Sequence, residues 1–176
     1  MNIPKNIVAH LKAAKAKFEV IPHKTVFTAY DLGQTLKARL EEIAKTLLVK
    51  ADNAYHLVVL RASDRLDLTK LKKFLGAKSL RIATEKDMAR ELKVKPGAIT
   101  PFGKVHKLTV VVDRGLAKVK QALFGSGSFQ HAIRMKVAHY LKLEEPRVGA
   151  FGKKTGLKLQ AKPVATSKRA ISPKSR

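Results

Sequence analysis

A lysine lies inside an apolar run of the chain, IAKTLLV at residues 43–49. Such a run predicts a buried β-strand, in which successive side chains point to opposite faces. By this alternation Lys45 shares a face with Ile43, Leu47 and Val49. An ammonium group among apolar side chains is costly unless an anion, or a group that becomes anionic, meets it. The pattern leaves two interpretations open: Lys45 serves a binding site, or it lies near a strand edge and its amine reaches water.

Helix and strand patterns interleave irregularly along the rest of the chain. Capping residues Thr28 and Thr84, each with an aspartate three positions later, predict two helix starts, and Gly76 predicts a helix end. Residues 51–54 predict a hairpin turn. The predicted helices cover residues 3–14, 28–36, 67–75, 84–92 and 137–143; the predicted strands cover 18–21, 43–49, 55–60, 80–82, 108–112, 121–124 and 132–135. This order favours an α/β fold with a mixed sheet over a doubly wound parallel one.

The chain is strongly basic, with 37 Lys or Arg against 13 Asp or Glu and a formal net charge of +24. Such a field attracts polyanions, so nucleic acid is the expected partner and an anionic membrane surface the lesser alternative. The absence of cysteine excludes disulfides, thiolate metal sites and a cysteine nucleophile. No apolar stretch is long enough to cross a membrane, and the first ten residues lack a signal-peptide core. We therefore expect a soluble cytoplasmic protein without a membrane partner.

The charge is concentrated towards the C-terminus. Residues 146–176 contain nine Lys or Arg and no Asp or Glu, with little apolar periodicity. This composition predicts one folded domain over residues 1–145, followed by a basic, flexible tail over 146–176. The tail either contacts nucleic-acid phosphates or is a solvated extension.

Two glycine-containing loops and the histidines are the other candidate functional features. Two glycines and a proline shape the loop Gly97-Ala98-Ile99-Thr100-Pro101-Phe102-Gly103. Backbone N–H groups of such a loop can bind a carbonyl oxygen or an oxyanion, but glycine and proline mark turns generally, so the pattern alone favours a structural turn. Gly125-Ser126-Gly127-Ser128 lacks the phosphate-loop spacing and predicts a connecting turn. None of the six histidines has metal-ligand spacing, so we expect no metal and no cofactor.

Taken together, several segments resemble one family. They are HKTVFTA at residues 23–29, AKTLLVKAD at 44–52, RLDL at 65–68, LGAK at 75–78, GAITPFG at 97–103, VVVD at 110–113, GSGS at 125–128 and AIRM at 132–135. In this order and spacing they resemble the YbaK family of aminoacyl-tRNA deacylases, which is related to the editing insertion of bacterial prolyl-tRNA synthetase. The resemblance covers roughly residues 4–143.

The resemblance implies a compact α/β domain with a mixed, curved sheet, surrounding helices and a hydrolytic function. Lys45 matches the family's functional lysine, and Gly97 to Pro101 match its GxxxP substrate loop. The implied reaction is trans-editing, the hydrolysis of the ester bond of a mischarged aminoacyl-tRNA, with Lys45 orienting the substrate and stabilising charge. The implied partners are the aminoacyl-tRNA and an aminoacyl-tRNA synthetase. The implied substrate-binding set comprises Gly97, Ala98, Ile99, Thr100, Pro101, Phe102, Gly103, Gly125, Ser126, Gly127, His131 and His23.

The departures from the family pattern bear on the amino acid that is removed. Cysteine-specific members carry a tyrosine shortly before the position of His23, where this chain has Val20, Ile21 and Pro22. The GSGS and AIRM segments are more similar to branches acting on alanyl-, seryl- or threonyl-tRNA, which disfavours cysteine. A non-catalytic RNA- or tRNA-binding module on the same fold is the alternative.

Overall fold

The computed structural model describes residues 2–159. The helices are α1 (Lys5–Ala13), α2 (Ala29–Leu36), α3 (Leu68–Leu75), α4 (Glu85–Glu91), α5 (Arg114–Ala117) and α6 (Val137–Glu144). The strands are β1 (Phe18–Pro22), β2 (Ala44–Ala51), β3 (Ala54–Arg61), β4 (Asp64–Leu66), β5 (Leu80–Ile82), β6 (Thr109–Asp113), β7 (Gln121–Ser128), β8 (His131–Lys136), β9 (Arg147–Gly149) and β10 (Gly152–Lys154). Short 3₁₀ turns cover Leu40–Glu42 and Gly103–His106.

The main sheet has five strands in the order β5-β2-β3-β6-β9. Strands β2 and β3 form the predicted antiparallel hairpin, and its turn places Asp52 in the left-handed region, with φ of 52°. Strand β6 runs parallel to both β3 and β9. Antiparallel and parallel pairs therefore coexist in one sheet, which confirms the predicted mixed α/β fold.

A second sheet of three antiparallel strands, in the order β1-β8-β7, lies against the first. A single parallel bridge pairs Ile43, just before β2, with Leu123 of β7. A two-stranded ribbon of β4 and β10 completes the strand pairing of the described residues. The bridge brings the start of β2, which carries Lys45, beside the β7–β8 hairpin.

Strand β2 is held by apolar packing on both faces. Ala44 and Leu48 belong to a core that also contains Phe124 of β7. Val49 belongs to another core, with Leu71 of α3. Because burial of each large apolar side chain stabilises the fold by about 1.5–3 kcal/mol, this packing fixes the strand that carries Lys45.

The predicted helix boundaries depend on capping residues that the structure confirms. Thr84 and Asp87 form a reciprocal capping box at the start of α4. The Thr28 hydroxyl accepts a hydrogen bond from the Asp31 amide at the start of α2. Gly76 ends α3 in the left-handed region, with φ of 65°.

The predicted tail boundary is wrong for residues 147–154, because β9 and β10 belong to the fold. Strand β9 pairs with β6, and Phe151 is fully buried. The Asp113 carboxylate accepts hydrogen bonds from the backbone amides of Phe151, at 2.9 Å, and Gly152, at 2.7 Å. This segment has few apolar residues and no clear alternation, so its sequence does not predict these contacts. The remainder of the predicted tail, from residue 160, lies outside the described residues.

The Gly-Ser segment is also placed differently from its prediction as a connecting turn. Strand β7 runs through Gly125, Ser126 and Gly127 to Ser128, with a register shift between Gly125 and Ser128. The turn is instead formed by Phe129 and Gln130. Within residues 2–159, no helix is long and apolar enough to cross a bilayer.

Candidate active site

A cavity of about 330 Å³ opens where the two larger sheets meet. Its wall is formed by side chains and backbone from residues 23–32, from residues 43–48 at the start of β2, from residues 96–99, and from the β7–β8 hairpin between residues 125 and 132. Ile82, Ala83 and Met88 complete the wall. Most of this surface is apolar, so the few polar groups in it decide what the cavity can bind.

Lys45 is half-buried in this wall. Its Nζ atom donates a hydrogen bond of 2.6 Å to the backbone oxygen of Asp64. The Asp64 carboxylate is engaged elsewhere, by the guanidinium of Arg61 at 2.7 Å. Burial lowers the pKa of Lys45, the charge of Asp64 partly offsets that shift, and Arg65 adds to it. A lysine ammonium has three N–H donors, so two remain for a ligand in the cavity.

The loop at residues 97–103 contributes its first half to the cavity. Gly97 and Ile99 lie in the wall. Gly97 has φ of +84°, and a β-carbon there would lie 2.6 Å from the backbone oxygen of Phe27. The loop therefore needs glycine at this position, both for the conformation and for the close approach.

The second half of the predicted substrate loop points into the core instead. Ala98, Thr100 and Phe102 are buried, and the backbone oxygen of Pro101 accepts a hydrogen bond of 2.8 Å from the buried hydroxyl of Tyr140. Gly103 begins a 3₁₀ turn. These five residues, Ala98 and Thr100 to Gly103, are not in the cavity wall. Their contacts hold the loop in place.

His131 is brought to the cavity together with a serine that the sequence did not single out. The Oγ atom of Ser128 lies 3.1 Å from Nδ1 of His131, and both residues line the wall. The Ser126 hydroxyl donates to the backbone oxygen of His131 at 2.5 Å. Ser126 and Gly127 are themselves outside the wall, whereas Gly125 is in it. Of the three residues predicted in this segment, Gly125 lines the cavity, and Ser126 and Gly127 support the wall from outside it.

His23 reaches the same cavity from the segment before α2. Its Nδ1–H donates a hydrogen bond of 2.7 Å to the backbone oxygen of Lys24. Its backbone amide donates to the oxygen of Gln130 at 2.9 Å, which ties this segment to the β7–β8 turn. The structure thus brings together His23, Lys45 and His131, which are far apart in sequence.

Several wall residues were absent from the sequence prediction. Thr28 is predicted only as a helix cap, and the alternation of a strand places Thr46 on the face opposite Lys45, yet both residues line the wall. Ser128 was treated as part of a turn. The register shift in β7 gives Ser128 its place, and local patterns do not predict such a shift. In the part of the chain that the structure describes, no three His, Asp or Glu side chains converge as a metal site.

Comparisons with known proteins match this chain to one family. The family model described as the aminoacyl-tRNA editing domain matches residues 23–143, which include His23, Lys45, Gly97 and His131. The chain is 31% identical to the proline–tRNA ligase of Macrococcus caseolyticus over 101 residues, 57% of this chain but only 18% of that enzyme. It is 26% identical to the prolyl-tRNA editing protein ProX of Acetoanaerobium sticklandii over 115 residues, 64% of this chain and 70% of ProX. The chain spans about a fifth of the length of the ligases that it matches.

Solved structures share the fold. The hypothetical protein APE2540 superimposes with a TM-score of 0.78 at 20% identity, covering 85% of this chain and 100% of that one. A candidate trans-editing enzyme for prolyl tRNA synthetase superimposes with a TM-score of 0.76, also at 20% identity, covering 85% of this chain and 96% of the other.

Proposed function

Because the chain belongs to the YbaK-like family of aminoacyl-tRNA editing domains, we propose that it is a trans-editing aminoacyl-tRNA deacylase, a carboxylic ester hydrolase. Water attacks the ester carbonyl, the bond to the ribose oxygen breaks, and the products are a free amino acid and a tRNA with a free terminal hydroxyl. The observation that carries the proposal is the Lys45 ammonium in a mostly apolar cavity, with two N–H donors left for a ligand. The aminoacyl-tRNA is the partner, and a synthetase that supplies it is a second one.

The role of Lys45 is to stabilise the negative charge that develops during ester hydrolysis. The tetrahedral intermediate of ester hydrolysis carries a negative oxygen, and a fixed cation in a partly dry cavity stabilises it more than water does. The hydrogen bond to Asp64 fixes the position of Nζ before the substrate arrives. The substrate's ester or its ribose-phosphate end then meets the two free donors. No protein nucleophile is needed for this step.

The glycine loop and His131 position the reacting groups. Gly97 and Ile99 place backbone groups in the wall, where they can hold the substrate carbonyl or amine. The Ser128 hydroxyl holds Nδ1 of His131, which leaves Nε2 to face a ligand or a water. His23 lies on the same wall and contributes to substrate binding. Oriented reactants lower the barrier without new chemistry.

The wall favours a small amino acid. Four alanines, Ala29, Ala44, Ala83 and Ala132, line the cavity. Thr28, Thr46 and Ser128 line the same wall; the hydroxyls of Thr28 and Ser128 already bond Asp31 and His131, and that of Thr46 can bond the side chain of serine or threonine. We therefore expect alanine, serine or threonine to be removed in preference to cysteine. Because apolar pockets discriminate weakly by size, the activities on these amino acids should overlap.

A deacylation panel tests the proposal. Purified protein is given alanyl-, seryl-, threonyl-, cysteinyl- and prolyl-tRNA, and release of each amino acid is measured. We expect release of one or two of the first three, and a His131→Ala variant to slow it roughly tenfold through lost positioning. Release from none, with tight tRNA binding retained, would favour the alternative of a non-catalytic RNA-binding module on the same fold.

A further inference from the structure

An exposed aromatic pair stands at the rim of the cavity. Phe27 lines the wall, yet 62% of the residue is exposed to solvent. It is the most exposed large apolar residue in the described part of the chain. Its ring packs against Phe129, with ring centroids 5.1 Å apart and planes inclined at 54°. An aromatic ring left in water at a cavity mouth forgoes burial energy, which suggests that a ligand covers it.

The backbone holds this pair in place. The amide of Val26 donates to the backbone oxygen of Phe129 at 3.0 Å, so the segments that carry the two rings are bonded to each other. Gly97 lies directly beneath: a β-carbon there would lie 3.2 Å from Cε1 of Phe129 and 2.6 Å from the backbone oxygen of Phe27. The aromatic pair is thus fixed relative to the substrate loop.

Exposed lysines occur in two chain segments that border the cavity, the one that carries Phe27 and the one that leads to Pro96 and Gly97. Lys24 precedes Phe27 by three residues, and Lys93 and Lys95 precede the wall residue Pro96. All three lysines are exposed, and within residues 2–159 none has a carboxylate within ion-pair distance. A cation-flanked aromatic surface is typical of sites that bind single-stranded nucleic acid.

We propose that Phe27 and Phe129 form a stacking platform for the terminal nucleobase of the aminoacyl-tRNA, while the aminoacyl ester enters the cavity beside Lys45. This inference rests on the proposed function and deepens it. The substrate ester is attached to the ribose of the last nucleotide, whose base is unpaired and therefore free to stack. The rim position of Phe27 sets the base outside the cavity and the amino acid inside it. The platform contacts any base by its face, so it supplies affinity rather than sequence selection.

A binding cycle tests the platform without relying on catalysis. Affinities are measured for an uncharged RNA hairpin with a CCA end and for the same hairpin with an abasic last nucleotide. We expect the wild-type protein to prefer the intact end roughly tenfold, and Phe27→Ala to lose that preference. Phe27→Tyr should retain it, whereas Phe27→Leu, which keeps bulk but loses the aromatic face, should not. Val148→Ala, which shortens an exposed apolar side chain outside the cavity, is the matched control.

The outcomes separate the platform from the proposed function. If no substrate is deacylated but the Phe27-dependent preference for the terminal base persists, the platform stands and the deacylase proposal fails. If deacylation proceeds and Phe27→Ala keeps the full preference, the platform is overturned. If Phe27→Ala keeps the preference for the terminal base but loses binding to a prolyl-tRNA synthetase that the wild type binds, the patch is a protein contact and the platform is overturned.

Discussion

The backbone of Gly125 in β7 lies directly against the backbone oxygen of Ile99: a β-carbon built on Gly125 would be 2.7 Å from that oxygen. This contact joins the loop at residues 97–103 to strand β7, which ends at Ser128, shortly before His131. Gly125 and Ile99 both line the cavity, so their contact sets the distance between the loop and β7 in the cavity wall.

Gly125→Ala should therefore impair deacylation more than it impairs stability. The added methyl group must push the Ile99 backbone away, and displacements of about 1 Å can cost on the order of 100-fold in rate. We expect at least a tenfold loss of kcat/KM and about 1–3 kcal/mol of stability. Gly76→Ala is the control, because its left-handed φ of +65° brings backbone strain with no atom within 4 Å. Equal activities of the two variants well below their melting temperatures would contradict this interpretation of the contact.

The glycines show where sequence reasoning succeeds and where it stops. Gly76 was assigned correctly because a helix end is a local event. The glycines and proline mark a shaped loop at residues 97–103, and the resemblance implies that it binds substrate, but the sequence does not separate Gly97, in the wall, from Phe102, in the core. The position of this loop depends on the contact between Ile99 and Gly125, which are far apart in sequence, and local sequence patterns do not predict such a contact.

The pH dependence of stability should report the half-buried ammonium of Lys45. Its pKa is lowered in the folded protein by burial, whereas the unfolded chain keeps the ordinary value of 10.5. Between these two pKa values the unfolded chain binds more protons, so the free energy of unfolding rises with pH. Relative to Lys45→Met, which lacks the group, the wild type should therefore gain stability as the pH rises from 7 towards 10.5. Urea titrations of both proteins measure this difference, and a difference that falls with pH would contradict the burial of the amine.

Truncation after residue 145 should prevent folding. It removes β9, β10 and the fully buried ring of Phe151. Loss of a buried phenylalanine alone costs about 3–5 kcal/mol, a large share of the stability of a typical domain. Truncation after residue 159 keeps all these contacts and is the control. Circular dichroism and thermal unfolding compare the two, and a cooperatively folded 1–145 fragment would show that these strands are dispensable.

The basic segment from residue 160 should add tRNA affinity that depends on salt. It contains five Lys or Arg and no acidic residue. Each phosphate contact releases counterions, so deletion of residues 160–176 should weaken binding and lower the slope of log K against log salt by about one to three. Replacement of the five basic residues by serine should have the same effect at unchanged length. An affinity that is insensitive to both changes would rule out this contribution.

The sequence singles out Lys45 as an unusual residue, and the structure places it half-buried in the cavity wall. The apolar run predicted the strand, and the resemblance to a family predicted the fold and pointed to the lysine. The hydrogen bond to Asp64 was not foreseen, because Asp64–Leu66 is a short strand with no strong pattern of its own. Likewise, the pairing of Ser128 with His131 depends on an irregularity in β7. Long-range register, rather than local propensity, decides these details.

The most direct test of the central claim is the deacylation rate of Lys45→Ala on the preferred substrate, measured beside Lys50→Ala. Lys50 lies on the same strand, but outside the cavity wall, with its amine over the ring of Tyr55. We expect Lys45→Ala to lower the rate by at least about 100-fold, since an oxyanion-stabilising group is removed, and to retain tRNA affinity and cooperative unfolding. Lys50→Ala should stay near the wild-type rate. A folded Lys45→Ala protein that keeps more than about a tenth of the wild-type rate would contradict the assignment of Lys45 as the group that stabilises charge in this cavity.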